Sequence, residues 1–135
     1  MEGRVMYRLL EHPSDIIVEG RGRTFESALE SVANGMFTQM GAARAREKEA
    51  IEIESAMSTL EDVVVDALTK IIAECESIPF TPKRAEVIRA ENRAVRIKVF
   101  GERKQPANVI KAVTYHDLQV ERKKGGWVIR VLFDI

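Results

Sequence analysis

The sequence is poor in the residues that several classes of protein require. It has one cysteine, Cys75, among 135 residues, so no disulfide can form within the chain. No apolar run approaches the length of a membrane span. The first twelve residues, MEGRVMYRLLEH, are charged almost at once, so we expect no signal peptide. These absences predict a cytoplasmic protein with no membrane partner.

The chain also has no net charge, because 21 basic and 21 acidic side chains cancel. Proteins that coat nucleic acid do so by an excess of positive charge, and single-strand binders add aromatic stacking platforms. Aromatic residues make up only 6% of this sequence. We therefore expect no direct nucleic acid binding, although a local basic patch stays open.

Conventional catalytic signatures are missing as well. The sequence contains no GxxxxGK[ST] phosphate loop, no GxSxG, no HExxH and no CxxC. Cys75 lies on the apolar stripe of a predicted helix, where it indicates a small buried hydrophobe rather than a nucleophile. We therefore predict a protein that is not an enzyme.

The hydrophobic pattern that is present predicts two helices and a larger number of short strands. One helix begins at the N-cap Thr24 and ends at Gly41, and the second opens on a capping box at Ser58 and stops before Pro79. Apolar alternation and turn residues predict strands at 5–10, 16–19, 50–54, 87–90 and 95–100. The expected fold is α+β, a single two-layer domain over residues 1–135. In it, a largely antiparallel sheet has both helices packed on one face.

The last quarter of the chain predicts a closing hairpin that turns at Gly125-Gly126. A two-residue turn there pairs the two strands in a fixed register, whereas a longer loop from Lys123 to Gly126 would move the pairs. The predicted opposed pairs are Leu118 with Phe133, Val120 with Val131, Glu121 with Arg130, Asp117 with Asp134 and His116 with Ile135. Like charges directly opposed cost stability, so the Asp117–Asp134 end of this hairpin favours a cation.

Several polar residues are candidates for binding that cation. Asp15 follows His12 as HxxD at a corner between two predicted strands, where it could ligate a hard metal or cap backbone amides. Asp134 stands beside the Ile135 α-carboxylate, and two carboxylates on one segment can chelate a divalent ion. His116 and Asp117 could instead form a polar rim, and Asp134 could be an ordinary surface residue. Oxygen ligands favour Mg²⁺, Ca²⁺ or Mn²⁺, whereas His12 or His116 would shift the preference toward zinc.

Six segments spread along the chain resemble one protein family, the archeases. The resemblance rests on EHPSDI at 11–16, TFESA at 24–28, MF at 36–37, FGE at 100–102, KAVTYH at 111–116 and the closing DI at 134–135. The combination of KAVTYH with a terminal DI is specific. The chain departs from the family in reading HPSD for the usual HTAD, in lacking a tryptophan-leucine pair in the second helix, and in a short loop before KAVTYH.

The resemblance implies a small accessory protein of an RtcB-type RNA ligase. Such a protein would promote guanylylation of the ligase, restore its turnover in tRNA splicing and RNA repair, and broaden its use of nucleotides. It also implies a divalent-metal site at Asp15, Asp134 and Ile135, the last through its carboxylate. One alternative is a chaperone-like modulator of RNA-processing enzymes, such as a tRNA methyltransferase, that acts through an apolar patch. Another is a small metal-dependent hydrolase, which would turn over with no partner present.

Overall fold

The computed structural model describes residues 14–135, and the predicted strand at 5–10 and His12 lie outside them. Over the described range the chain forms two helices, six strands and a short 3-10 turn. In chain order these are β1 (Asp15–Gly22), α1 (Phe25–Met40), the 3-10 turn (Ala42–Arg44), β2 (Glu49–Ala56), α2 (Leu60–Ser77), β3 (Thr81–Glu91), β4 (Ala94–Glu102), β5 (Ala112–Lys123) and β6 (Gly126–Asp134). Neither of the two helices is both long and apolar enough to cross a membrane.

The six strands form two antiparallel sheets of three strands each. Sheet A has the order β1-β6-β5 and sheet B the order β2-β4-β3. The predicted α+β class with antiparallel pairing is confirmed, and the strands are divided between two sheets rather than joined in one. Alternation in a sequence shows which side chains share a face of a strand, but it does not show which strands are hydrogen-bonded.

Both helices pack on both sheets and close one core between them. Helix α1 contacts β1, β6 and β3, whereas α2 contacts β5, β2 and β4. The apolar stripe of α1 is buried as its three-and-four spacing predicts. Its predicted ends are also confirmed: the Thr24 side chain accepts a hydrogen bond from the Ser27 amide, and Gly41 ends the helix at φ 107°. That left-handed conformation favours glycine.

The second helix begins one residue later than the capping-box pattern predicts. The N-cap is Thr59, not Ser58, and its side chain accepts a hydrogen bond from the Asp62 amide at 3.1 Å. Both residues can cap a helix, and Thr59 is the one whose extended backbone brings the hydroxyl to the first turn. The helix ends at Ser77, two residues before Pro79, as expected.

The closing hairpin forms, but it turns one residue earlier than predicted. Lys123 pairs with Gly126, so the turn residues are Lys124 and Gly125. Gly125 takes the left-handed conformation at φ 81°. Gly126 instead belongs to the strand, where a Cβ would collide with the carbonyl oxygen of Gly22.

A bulge in β5 then shifts the register again. Thr114 pairs with Leu132 and Gln119 pairs with Arg130, so the four residues from Tyr115 to Leu118 face the single residue Val131. Asp117 has φ 53° within this bulge. All five predicted pairs of the hairpin are therefore wrong. A periodic pattern assumes an uninterrupted ladder, and a bulge breaks that assumption.

Candidate metal centre

The corrected register decides which residues surround Asp134. Strand β6 is the central strand of sheet A, so Asp134 has one neighbour on each side. Ala112 of β5 takes the position that the sequence predicted for Asp117. On the other side, Asp15 of β1 lies directly opposite Asp134. The structure therefore brings together the two aspartates that the resemblance implied.

Asp15 and Asp134 share the outer face of sheet A. Their chain neighbours Ile16 and Phe133 point into the core, so alternation turns both aspartates outward. Both side chains are exposed. Directly opposed residues in an antiparallel pair have Cβ atoms about 5 Å apart, which is close enough for two carboxylates to contact one cation.

Backbone hydrogen bonds fix the end of β6 from both sides. The Ile135 amide donates to the Ser14 carbonyl oxygen at 2.9 Å, and the Lys111 amide donates to the Asp134 carbonyl oxygen at 2.7 Å. The Ile135 side chain is partly buried against the core. The backbone of Ile135 is consequently anchored to β1 beside Asp15. Two carboxylates lie opposite each other at this end of sheet A, and we call them the carboxylate site (Asp15 and Asp134).

The charge balance of the carboxylate site is unfavourable within the described part of the chain. Neither Asp15 nor Asp134 makes an ion pair with another residue of the 14–135 range. Residues 14–135 also contain no group of three or more His, Cys, Asp or Glu side chains placed to hold a metal. The carboxylate site offers two side-chain carboxylates, Asp15 and Asp134.

The other predicted candidates lie elsewhere or outside the description. His12 is not among the described residues. His116 and Asp117 lie four and five residues beyond Ala112, on the exposed bulge, where His116 Nε2 is 3.3 Å from Asp117 Oδ2. They form a local pair away from Asp134.

The KAVTYH segment has a structural role that its pattern did not reveal. The Lys111 amide holds the Asp134 carbonyl, and Thr114 Oγ1 donates to the Leu132 carbonyl oxygen at 3.0 Å. Tyr115 donates its phenolic hydrogen to Asp62 Oδ1 at 2.5 Å, across to the first turn of α2. This hydrogen bond, followed by burial and the nearby negative charges, raises the pKa of Tyr115. The segment thus positions the end of β6 and ties the bulge to a helix.

The fold agrees with comparisons to known proteins. Residues 7–135 match the Archease protein family (MTH1598/TM1083). The chain belongs to the archease family. The protein archease of Thermococcus gammatolerans is 32% identical over 135 residues, covering 93% of this chain and 95% of its own. That of Methanosarcina mazei is also 32% identical, over 139 residues, covering 96% and 95%.

Solved structures give the same result at the level of the fold. The crystal structure of a Thermotoga maritima archease, described as a possible chaperone, has a TM-score of 0.68 and 26% identity. It covers 92% of this chain and 93% of its own. The solution structure of Methanobacterium thermoautotrophicum protein 1598 shares the fold at a TM-score of 0.67 and 18% identity, covering 92% and 94%. Archease membership supports the expectation of an accessory protein that works with a protein partner.

Proposed function

We propose that this archease activates an RtcB-type RNA ligase by promoting its guanylylation, and thereby restores the ligase's turnover in tRNA splicing. The proposal is supported by family membership and by one structural observation, the direct opposition of Asp15 and Asp134. The two exposed carboxylates lie on neighbouring strands, and we propose that the Ile135 carboxylate adds a third donor. A cation stabilises such an arrangement.

The residues of the carboxylate site fit a hard divalent ion. All three donors are carboxylates, which suit Ca²⁺, Mg²⁺ or Mn²⁺ rather than zinc. Asp15, Asp134 and the Ile135 carboxylate would hold the ion at an exposed edge, and groups from outside this chain would complete its coordination. A bound ion supplies charge stabilisation to phosphate oxygens. The chain itself holds its carboxylates on two hydrogen-bonded strands and presents them outward to a partner.

We further propose that the archease is a protein cofactor and has no turnover of its own. Cys75 is fully buried in α2, and burial, followed by the charges of Glu74 and Glu76, raises the pKa of its thiol to about 12. A thiol in that state is a poor nucleophile. His116, the histidine within residues 14–135, is exposed and lies beside Asp117 rather than beside a nucleophile.

The test is multiple-turnover RNA ligation by an RtcB-type ligase with GTP and Mn²⁺, measured with and without the archease. We expect wild type to stimulate turnover. Asp15→Asn and Asp134→Asn should each lose at least tenfold of that stimulation, since each removes one of two charged side-chain ligands. Asp117→Asn is the matched control, because it removes an exposed aspartate of sheet A that lies outside the carboxylate site.

Three results would count against the proposal in different ways. Full stimulation by both Asp15→Asn and Asp134→Asn would remove the metal role and keep the ligase as partner. Equal loss in Asp117→Asn would show a general charge effect. No stimulation by wild type would reject the ligase as the partner.

Exposed apolar side chains favour the second candidate, a chaperone-like modulator of RNA-processing enzymes such as a tRNA methyltransferase. Ile17 is 48% exposed on the outer face of sheet A, directly opposite the half-buried Leu132. This pair lies two residues from the carboxylate site. A modulator that used it would lose activity in Ile17→Ser and keep activity in Asp134→Asn, which is the reverse of the result expected for ligase activation.

A further inference from the structure

The opposite end of sheet A carries a cleft with a different chemistry. It forms where β1 ends and the β5–β6 hairpin turns, and its volume is about 320 Å³. We call it the basic cleft, and its charged lining residues are Arg21, Arg23, Lys123 and Lys124. Asp15 and Gly22 mark the two ends of β1, so the cleft lies about 23 Å from the carboxylate site at 3.3 Å per residue.

All the charged residues that line the basic cleft are positive. Arg21 has a partner in Glu19 at 2.9 Å, and Lys123 lies 3.7 Å from Glu121. Arg23 and Lys124 form no ion pair with any residue of the 14–135 range. Positive charge gathered in a concave surface attracts anions more strongly than the same charges spread over a convex one.

The arginines in the strands of sheet B each have a glutamate partner. On sheet B, Arg84 contacts Glu47 at 3.1 Å and Arg96 contacts Glu54 at 3.1 Å. The zero net charge of the whole sequence is therefore compatible with an excess of positive charge at one end of sheet A.

The backbone at the base of the basic cleft is closely packed. A side chain on Gly22 would collide with Ser27 of α1, and one on Gly126 would collide with the Gly22 carbonyl oxygen, so the backbones there are in close contact. The Trp127 ring packs edge-on against Phe25 at 5.7 Å between centroids. The four basic side chains consequently extend from a fixed base, which lowers the entropic cost of binding a ligand.

We propose that the basic cleft binds the phosphate groups of single-stranded RNA. Arginine and lysine are the residues that bind phosphate oxygens in proteins, arginine through a planar fork. Arg21 on β1 and Lys123 on β5 are separated by two strand spacings, about 10 Å, so a chain of phosphates matches the cleft better than a single one. Trp127 is half-buried against Phe25, and phosphate contacts carry no sequence information, so we expect binding that is independent of sequence. This inference does not rest on ligase activation, because it concerns binding by the archease alone.

The test is fluorescence anisotropy of labelled oligouridine titrated with the full-length archease over a range of salt concentrations. With four phosphate contacts, log K should fall with log [salt] at a slope of about −3. Arg23→Gln with Lys124→Gln should weaken binding about tenfold or more and reduce the steepness of that slope by about 1.4. Arg46→Gln with Arg93→Gln removes the same net charge from two exposed arginines outside the cleft, and should leave both quantities near wild type.

Competitors separate the sources of negative charge. Unlabelled oligouridine should displace the probe, whereas GTP, inorganic phosphate and poly-glutamate at equal charge concentration should not. Equal weakening in the two double variants would overturn the proposal in favour of a general charge effect. Binding of poly-glutamate or GTP to the cleft without binding of RNA would overturn it in favour of an acidic protein surface or a free nucleotide.

Discussion

Asp15 and Asp134 show how two residues far apart in the sequence acquire one chemistry. Each is an ordinary exposed aspartate by itself. Pairing of β1 with β6 sets them opposite each other. Repulsion between directly opposed like charges destabilises a sheet, so the carboxylate site should cost stability when no cation is bound.

At the scale of these residues we predict that the effect of Asp134→Asn on stability changes sign with metal. In a chelator, the variant should be more stable than wild type by about 0.2–1 kcal/mol, because one of two opposed charges is removed. In Mn²⁺ or Ca²⁺, wild type should gain stability as RT ln(1 + [metal]/Kd), and the variant should gain much less. Urea unfolding in chelator and in metal measures the effect of removing the charge and the stability gained from the metal.

The Asp117→Asn variant serves as the comparison for this measurement. Its side chain is exposed on the bulge and lies outside the carboxylate site. An equal metal response in wild type and Asp134→Asn would show that the stabilising ion binds elsewhere.

At the scale of elements, strand β2 and helix α2 are joined by a polar network on the edge of the core. The buried Ser55 hydroxyl donates to Asp66 Oδ2 at 2.6 Å, and Lys70 Nζ lies 3.0 Å from the same oxygen. Lys70 also donates to the Glu54 carbonyl oxygen at 2.9 Å. Burial acts to raise the pKa of Asp66, but the hydrogen bonds from Ser55 and Lys70 and the charge of Lys70 together lower it below its ordinary value.

This network predicts a pH-dependent contribution to stability. The pKa of Asp66 is lower in the folded state than its value of 3.8 in the unfolded chain. The Asp66 carboxylate therefore stabilises the fold above pH 3.8, and this stabilisation is lost as pH falls through the folded pKa. Asp66→Asn should therefore lower the free energy of unfolding by about 1–2 kcal/mol at pH 7. The difference from wild type should shrink below about pH 4. Urea unfolding across pH, with Asp117→Asn as control, measures it; a difference independent of pH would contradict the ionic role of Asp66.

The helices and strands also show what could be predicted from the sequence and what could not. The ends of α1 were predicted correctly because Thr24 and Gly41 act within one turn of their own helix. The partners of Asp134 were predicted wrongly, since they depend on the turn at Lys124-Gly125 and on the bulge after Thr114. The contact between Ser55 and Asp66 joins strand β2 to helix α2, and no local sequence pattern predicts it.

At the scale of the whole molecule, sheet A has two ends of opposite charge. The carboxylate site lies at one end and the basic cleft at the other. The α+β class could be predicted by counting elements in the sequence. This charge polarity could not be predicted, because composition gives only the sum of 21 positive and 21 negative side chains. The aspartates were identified as candidates from the sequence, but their opposition required the pairing of the first described strand with the last.

The most direct test of ligase activation through the carboxylate site is the rate of covalent GMP transfer to an RtcB-type ligase. The archease would be added as wild type, as Asp134→Asn and as a chain extended beyond Ile135. We predict faster guanylylation with wild type alone, because both altered chains disturb the carboxylates that meet at the end of β6. Equal acceleration by all three proteins would contradict a role for the carboxylate site.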